Sequence, residues 1–143
     1  MSHRPISTII ENQEMLTAPS TATVSDAARL MKQKKTGALM VCDKGRLVGV
    51  FTERDALFRV MAEERDPKTT LLAEVMTANP QTIGPDKTLG HALHMMYEGG
   101  FRNVPVVKKG RPIGMVSAHD ALGPELKEFV AEMDERQNIA EIL

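Results

Sequence analysis

The sequence has little of several features that would assign it to a particular class of protein. It carries one cysteine, which excludes an internal disulfide framework. Its 18 Lys and Arg residues nearly balance its 19 Asp and Glu residues, so it lacks the basic charge of a duplex-binding protein. No apolar run approaches the roughly 20 residues of a membrane span or follows a basic start, as in a signal peptide. We therefore expect a cytoplasmic protein with no nucleic-acid or membrane partner.

Aromatic residues are also scarce, whereas methionines are plentiful. The chain has no tryptophan, one tyrosine and four phenylalanines, but ten methionines. Of its 143 residues 42% are apolar, enough to bury the core of one compact domain without a metal or a disulfide. We expect that core to be filled mainly by flexible aliphatic side chains.

The chain contains two copies of one pattern, 65 residues apart. A shift by this distance places Gly49 on Gly114 and Asp55 on Asp120, with no gap from about residue 6 to residue 57. Glycines, turn residues and apolar positions stay in phase together, which indicates a repeated structural unit. Other identical pairs include Thr17 and Thr82, Thr23 and Thr88, Ala27 and Ala92, Met31 and Met96, Val41 and Val106, Gly45 and Gly110, and Arg46 and Arg111.

Each copy predicts the same order of local structure. A short extended piece, at residues 16–18 or 81–83, precedes an amphipathic helix for which Ser25 or Thr88 is a candidate cap. Two apolar runs separated by a polar turn with glycine then predict a hairpin, at residues 38–51 and 104–116. A second helix is expected to begin at Thr52 and at Ser117. Gly99 and Gly100 predict where the first helix of copy two ends. The predicted buried helix positions are Ala27, Leu30, Met31, Ala92, Met95 and Met96.

These copies predict the division of the chain. The first repeat covers residues 6–62 and the second residues 71–126, with a charged linker that contains Pro67 at residues 63–70. Residues 127–143 form a predicted C-terminal helical extension. Its apolar stripe either packs on its own domain or contacts a second copy of the chain. That stripe consists of Leu126, Phe129, Val130, Met133, Ile139 and Leu143.

The same short motif occurs near the end of each copy. A glycine is followed by two apolar residues, a Thr or Ser, any two residues and an Asp, as in Gly49 to Asp55 and Gly114 to Asp120. In this motif and in the stretches Gly37 to Leu57 and Phe101 to Leu122 around it, the chain resembles the cystathionine β-synthase (CBS) domain family over nearly its whole length. The resemblance implies an α+β, α/β sandwich-like fold. In it, two β-α-β-β-α repeats pack about a pseudo-twofold axis as one tandem module.

The motif has residue types that suit a nucleotide. Where a strand enters a helix, unpaired backbone N–H groups and the helix dipole favour a phosphate, to which a hydroxyl also donates. One turn later, a carboxylate accepts hydrogen bonds from both hydroxyls of a ribose. Arg54 and His119 lie beside the two carboxylates and are candidates to neutralise phosphate charge. The alternative is that hydroxyl and carboxylate only cap the helix, as in a capping box.

The resemblance also implies two clefts, each built from both repeats. The first cleft would be the better one for a multiply charged phosphate chain, because Arg54 and Arg102 line it. The second has small residues at the same positions, which leaves room for a base. In the first cleft Thr52 and Asp55 would face Thr82, Arg102, Asn103, Val104 and Pro105, and in the second Ser117 and Asp120 would face Thr17, Gly37, Ala38 and Leu39.

The function implied is that of a regulatory module that binds AMP, ADP or ATP and passes the ligand state to a partner protein or to a dimer interface. We expect a homodimer on the resemblance alone. The regulated partner is not identified, and whether magnesium accompanies the nucleotide stays open; no other cofactor is required. One alternative is a structural or interaction module with empty clefts. Another is a module for NADH or S-adenosylmethionine, which share the adenosine moiety.

Other polar residues give weaker signals. His91 and His94 share a helix face, but no further ligand with suitable spacing follows, so no metal site is expected. Cys42 has no neighbouring base and is expected to be a small, partly buried residue. The cluster Lys32, Lys34 and Lys35 is interpreted as the solvated end of a helix. With no catalytic apparatus, and no room for a catalytic domain after the second copy, we do not expect an enzyme.

Overall fold

The computed structural model describes residues 2–142, with side chains for residues 2–137. Leu143 and the side chain of Ile139, both predicted for the C-terminal stripe, lie outside the described part. Along the chain the elements are α1 (Ile6–Ile9), β1 (Thr17–Ala18), α2 (Val24–Lys34), β2 (Ala38–Asp43), β3 (Arg46–Thr52), α3 (Glu53–Asp55) continued by a π-helix (Ala56–Met61), α4 (Leu72–Val75), β4 (Thr77–Ala78), α5 (Leu89–Gly99), β5 (Asn103–Lys108), β6 (Arg111–Ser117), a 3₁₀ turn (Ala118–Asp120) and α6 (Gly123–Ile142).

The chain divides into two compact units. The first-repeat unit comprises Glu14–Gln81 and Lys108–Ile113, and the second-repeat unit comprises residues 2–13, 82–107 and 114–142. Helix α1 therefore belongs to the second-repeat unit although it precedes the first repeat, and the Ile6 N–H donates to the Lys87 carbonyl at 2.9 Å. Helix α4 belongs to the first-repeat unit, where the Leu72 N–H donates to the Ala22 carbonyl at 2.9 Å. The sequence-based division into repeats, linker and extension stays a prediction.

The first-repeat unit confirms the predicted order of strand, helix, strand, strand and helix. Strand β1 pairs parallel with β2, β2 pairs antiparallel with β3, and β4 adds antiparallel to β3. Phe51 at the centre of the core is fully buried, which contributes roughly 1.5–3 kcal/mol. The buried residues that form this core are Ala18, Val24, Ala27, Met31, Leu39, Val41, Phe51, Val60, Leu72 and Val75.

The helix caps follow the repeat rather than the nearest serine. The prediction of Ser25 as the cap of α2 is wrong: Thr23 is the cap, and its hydroxyl accepts from the Asp26 N–H at 3.2 Å. Ser25 lies within the helix, where its hydroxyl cannot reach the N–H groups of the first turn. Thr88 caps α5 as predicted, accepting from the His91 N–H at 3.2 Å, and α5 ends at Gly100, whose φ is +72°.

Two hairpins have the same tight turn. Lys44 and Gly45 have φ values of 52° and 75°, and Lys109 and Gly110 have values of 52° and 78°. Positive φ at both central residues defines the turn that matches the twist of antiparallel strands. The predicted hairpins are therefore confirmed, and each extends by a residue or two beyond the predicted ends.

The second repeat departs from the prediction at both ends. Residues 81–83 were expected to form a strand, but only Ile83 makes a parallel bridge, to Val106. The helix expected from Ser117 is a single 3₁₀ turn, after which Ala121 is extended with ψ of 127° and α6 begins at Gly123. Pro124 explains the break, since it lacks the N–H that would bond to the Asp120 carbonyl but fits the first turn of a new helix.

The glycine of each motif, Gly49 in β3 and Gly114 in β6, allows a neighbouring segment to pack closely against its strand. An ideal Cβ on Gly49 would lie 2.5 Å from Met76 Sδ, next to strand β4. An ideal Cβ on Gly114 would lie 2.8 Å from Ile10 Cβ. In the second-repeat unit the side chain of Gln13 replaces a strand, because its amide donates to the Met115 carbonyl and accepts from the Met115 N–H, both at 2.7 Å.

Helix α6 packs partly on its own unit. Phe129 and Met133 are buried, and the ring of Phe129 meets that of Tyr97 edge-on at 5.9 Å. Leu126 and Val130, also predicted in the stripe, are about half exposed. Within residues 2–142, none of the helices is both long and apolar enough to cross a membrane.

Candidate functional site

The first motif forms a capping box at the start of α3. The Thr52 N–H donates to Asp55 Oδ2 at 3.0 Å, and the Asp55 N–H donates to Thr52 Oγ1 at 3.2 Å. The capping interpretation of this motif is therefore confirmed as geometry. Capping fixes where the hydroxyl and the carboxylate lie. A ligand would have to bond to the lone pairs of the carboxylate that capping does not use.

Asp55 makes further contacts that the sequence did not indicate. The Thr77 hydroxyl, on strand β4, lies 3.3 Å from Oδ1 and 3.4 Å from Oδ2. Arg59 Nε lies 3.6 Å from Oδ1, and the same guanidinium donates to the Met76 carbonyl at 2.8 Å. Asp55 is only 5% exposed. The carboxylate therefore ties the start of α3 to the segment that covers strand β3.

The carboxylate of the second motif makes fewer contacts than that of the first. The Ser117 N–H donates to Asp120 Oδ2 at 2.7 Å, and the Ser117 hydroxyl lies 3.5 Å from the same oxygen. Asp120 is partly exposed and His119 is exposed. The predicted hydroxyl and carboxylate thus meet at both junctions, with the Asp120 carboxylate open to solvent on one side.

An unpredicted cluster holds the turn after Asp120. Arg4 Nη2 donates to the Asp120 carbonyl at 2.5 Å and to Glu125 Oε1 at 2.9 Å. Glu125 also accepts from the Ser2 hydroxyl and from the Leu122 N–H. The Ser2 hydroxyl, the Leu122 amide and Arg4 together lower the pKa of Glu125. The sequence signal for Glu125 was its place in the first turn after Pro124, whereas nothing local signalled Arg4 or Thr77.

Two of the other predicted site residues, Gly37 and Arg102, lie next to the junction of their own repeat. In the first-repeat unit the Gly37 carbonyl accepts from the Glu53 N–H at 2.9 Å, and in the second the Arg102 carbonyl accepts from the Ala118 N–H at 3.0 Å. Their joint arrangement around one ligand, as the resemblance implies, stays a prediction. Exposed residues of the predicted set are Thr17, Arg54, Thr82 and Arg102, and those at least partly buried in strands or beside them are Gly37, Ala38, Leu39, Asn103, Val104 and Pro105.

A cavity of about 440 Å³ lies in the first-repeat unit, between the end of α2 and the start of α3. Its floor is apolar, with Met31, Phe51 and Ala56, and Lys32 and Glu53 are charged. The predicted residue Gly37 lies at this cavity. The full lining is Ala28, Met31, Lys32, Lys35, Thr36, Gly37, Phe51, Glu53 and Ala56.

Histidines and the cysteine have ordinary surroundings. His94 Nε2 lies 2.7 Å from Glu98 Oε1 and 3.2 Å from Arg136 Nη1, while His91 is exposed. Among the described residues, no group of three His, Cys, Asp or Glu is placed to hold a metal ion. Burial, with a smaller effect from Asp43, raises the pKa of the partly buried Cys42 thiol.

The repeat, the two junctions and their capping residues correspond to a known family. Residues 6–62 and 72–123 match the family model of the CBS domain. The chain belongs to the CBS domain family. CBS domain-containing protein CBSCBSPB1 of Arabidopsis thaliana is 38% identical over 105 residues, which are 73% of this chain and 19% of that protein. CBS domain-containing protein YhcV of Bacillus subtilis is 33% identical over 107 residues, or 75% of this chain and 76% of that one.

Solved CBS structures share the fold. A CBS-domain protein from Burkholderia ambifaria, 31% identical, superposes with a TM-score of 0.76 over 81% of this chain and 89% of that one. CBS domain protein PAE2072 from Pyrobaculum aerophilum, complexed with AMP, has a TM-score of 0.78 at 23% identity, over 89% and 98% of the two chains. The CBS domain pair of MJ0100, in complex with 5′-methylthioadenosine and S-adenosyl-L-methionine, has a TM-score of 0.73 at 26% identity, over 81% and 90%.

Proposed function

We propose that this CBS chain is a non-catalytic regulatory module that binds AMP, ADP or ATP at one or both of its strand-to-helix junctions. The observation that carries the proposal is the paired hydroxyl and carboxylate at each junction, with the carboxylate fixed by the N–H of the hydroxyl residue. A fixed carboxylate suits the two hydroxyls of a ribose, which can donate to its remaining lone pairs.

Two relatives of known structure support an adenosine ligand. One is complexed with AMP, the other with 5′-methylthioadenosine and S-adenosyl-L-methionine. These three compounds all carry the adenosine group that the ribose carboxylate would recognise. NADH and S-adenosylmethionine are therefore alternative ligands that the binding experiment below compares with AMP and ATP. With no metal cluster among the described residues, a magnesium ion would enter with the phosphates of ADP or ATP.

We also propose that the module works as a homodimer, in which ligand binding shifts the balance between two conformations and so reaches a regulated partner. Exposed apolar side chains support a contact surface. Phe58 and Met61, both on the π-helix, are 57% and 71% exposed. Large apolar side chains that point to solvent on neighbouring turns favour burial against a second copy.

Native mass spectrometry of the purified chain tests both proposals in one measurement. We expect a dimer mass and a mass increment of an adenine nucleotide, and melting curves with AMP, ATP, NADH or S-adenosylmethionine identify the ligand. At a concentration of 100 times Kd, a ligand adds about 2.7 kcal/mol of stability, or roughly 8 °C in Tm. A melting temperature that no adenosine compound moves would contradict nucleotide binding.

A second candidate is an interaction module whose junctions bind no ligand. The observation that favours it is the capping box at Thr52 and Asp55, which already satisfies the first turn of α3. Under this alternative the chain still forms its dimer, but native mass spectrometry shows no nucleotide and the melting curves coincide.

A further inference from the structure

We infer that the two junctions have different tasks, with Asp120 as the carboxylate that binds the ribose and Asp55 as a structural anchor. The chain then binds one adenine nucleotide rather than two. This inference rests on the proposed function, since it assigns that function to one of two junctions that match in sequence. It departs from the expectation that the Thr52 junction is the better one for a phosphate chain.

The Asp55 carboxylate is already occupied. Its Oδ2 accepts from the Thr52 N–H and lies 3.4 Å from the Thr77 hydroxyl, while its Oδ1 lies 3.3 Å from that hydroxyl and 3.6 Å from Arg59 Nε. The one proton of the Thr77 hydroxyl is shared between the two oxygens and Arg59 adds an ion pair, so each oxygen already has a partner inside the unit. Ribose hydroxyls would have to displace Thr77 and Arg59 from a side chain that is 5% exposed. That exchange gains little, because it breaks as many contacts as it makes.

The Asp120 carboxylate has room for a ribose. Within the described chain, its hydrogen bonds both end on Oδ2, from the N–H and the hydroxyl of Ser117. Oδ1 is therefore open, and the residue is partly exposed. The repeat explains the difference, since the shift of 65 residues matches Thr77, in the first-repeat unit, with Asn12, in the second-repeat unit, which has no hydroxyl. In place of a strand with a hydroxyl, this unit has the side chain of Gln13, which bonds to Met115 instead.

Charges at the two junctions point the same way. Glu53 follows Thr52 directly, and its carboxylate lies against Gly37, where an ideal Cβ would be 3.0 Å from Oε1. An acidic side chain in the first turn repels a phosphate, although Arg54 offsets part of this charge. At the other junction the matching positions hold Ala118 and Arg102, which are joined by a backbone hydrogen bond of 3.0 Å. Because Ala118 is uncharged where the first junction has Glu53, the junction of Ser117 lacks this repulsion.

The turn that carries Asp120 is also held in place before any ligand arrives. Because Pro124 lacks an N–H, the Asp120 carbonyl has no helical partner, and Arg4 Nη2 donates to it at 2.5 Å. Glu125 fixes the same guanidinium at 2.9 Å. A carboxylate on a backbone fixed in this way loses little freedom on binding, which favours affinity.

Calorimetric titration with AMP and with 2′,3′-dideoxy-AMP tests the assignment, using the wild type, Asp120→Asn and Asp55→Asn. The wild type should bind one AMP per chain and prefer it at least about tenfold over the dideoxy compound, which lacks the ribose hydroxyls. Asp120→Asn should weaken AMP binding by a similar factor and abolish the preference, as expected when the two changes remove one interaction. Asp55→Asn should keep both the affinity and the preference.

Stability separates anchoring from binding. Asp55→Asn and Thr77→Val should both lower the melting temperature of the ligand-free chain, whereas Asp120→Asn should lower it less. Two AMP molecules per wild-type chain, or a ribose preference lost in Asp55→Asn and kept in Asp120→Asn, would overturn the assignment while leaving the proposed function intact. A wild-type chain that binds no adenosine compound would overturn the proposed function itself and the assignment with it.

Discussion

Gly49→Ala should destabilise the chain through one added methyl group. Gly49 lies in β3 opposite Ala78 of β4, and an added Cβ would lie 2.5 Å from Met76 Sδ and 2.9 Å from the Thr77 carbonyl oxygen. The Met76 side chain can move aside, but the carbonyl belongs to the paired strand and can do so only if β4 shifts. Overpacking of this kind costs about 1–3 kcal/mol, and the lower entropy of the unfolded alanine chain offsets about 0.4–1 kcal/mol. Taking the middle of each range, the net loss is about 1.3 kcal/mol.

Thermal unfolding followed by circular dichroism measures this loss, which for a chain of this length corresponds to roughly 3–8 °C in Tm. Gly123→Ala is the matched control, because an added Cβ there meets nothing within 4 Å and Gly123 lies in the first turn of α6. Alanine favours a helix by up to about 1 kcal/mol over glycine, so this variant should melt at the wild-type temperature or above it. If Gly49→Ala melts no lower than the wild type, strand β4 does not pack against β3 as described.

Two further predictions concern titrating groups. Folding lowers the pKa of Glu125 through the Ser2 hydroxyl, the Leu122 amide and Arg4. The ionised carboxylate therefore stabilises the folded chain fully above the ordinary glutamate pKa of about 4.3. This stabilisation is lost as the pH falls through the lower pKa of the folded state. Glu125→Gln should therefore melt below the wild type at pH 7, and the gap should close on the acid side of pH 4; a gap that does not change with pH would contradict this. Burial and the charge of Asp43 raise the pKa of Cys42, the one thiol of the chain. Iodoacetamide should therefore label Cys42 more slowly at pH 8 than it labels free cysteine, and it should label the Asp43→Asn variant faster than the wild type. Equal rates for the free amino acid and the folded chain would count against a raised pKa.

Much of the fold followed from patterns that are local in the chain. The shift of 65 residues gave the two copies, and the turns at Gly45 and Gly110 gave the hairpins, because glycine at a positive φ is a constraint that one residue carries. The same shift matches Thr23, the cap of α2, with Thr88, the cap of α5, whereas the prediction of Ser25 used residue type alone. Where the copies differ, as at Pro124, local reasoning by analogy from the first copy failed.

The contacts that distinguish the two junctions were not predictable in this way. Thr77 reaches Asp55 across 22 positions, and Arg4 reaches the Asp120 carbonyl across 116. Side-chain contacts over such separations leave no periodicity and no spacing rule in a single sequence. The matched motifs therefore predicted the same hydroxyl and carboxylate at both junctions, while the surroundings of the two carboxylates, which depend on tertiary packing, differ.

Gln13 has a consequence for how this protein meets copies of itself. The outer side of a terminal strand normally shows a row of unsatisfied donors and acceptors, which can recruit a strand of another molecule and begin aggregation. By bonding twice to Met115, one amide side chain occupies that row as a short peptide would. The chain thereby hinders growth of the sheet at this margin with a single residue.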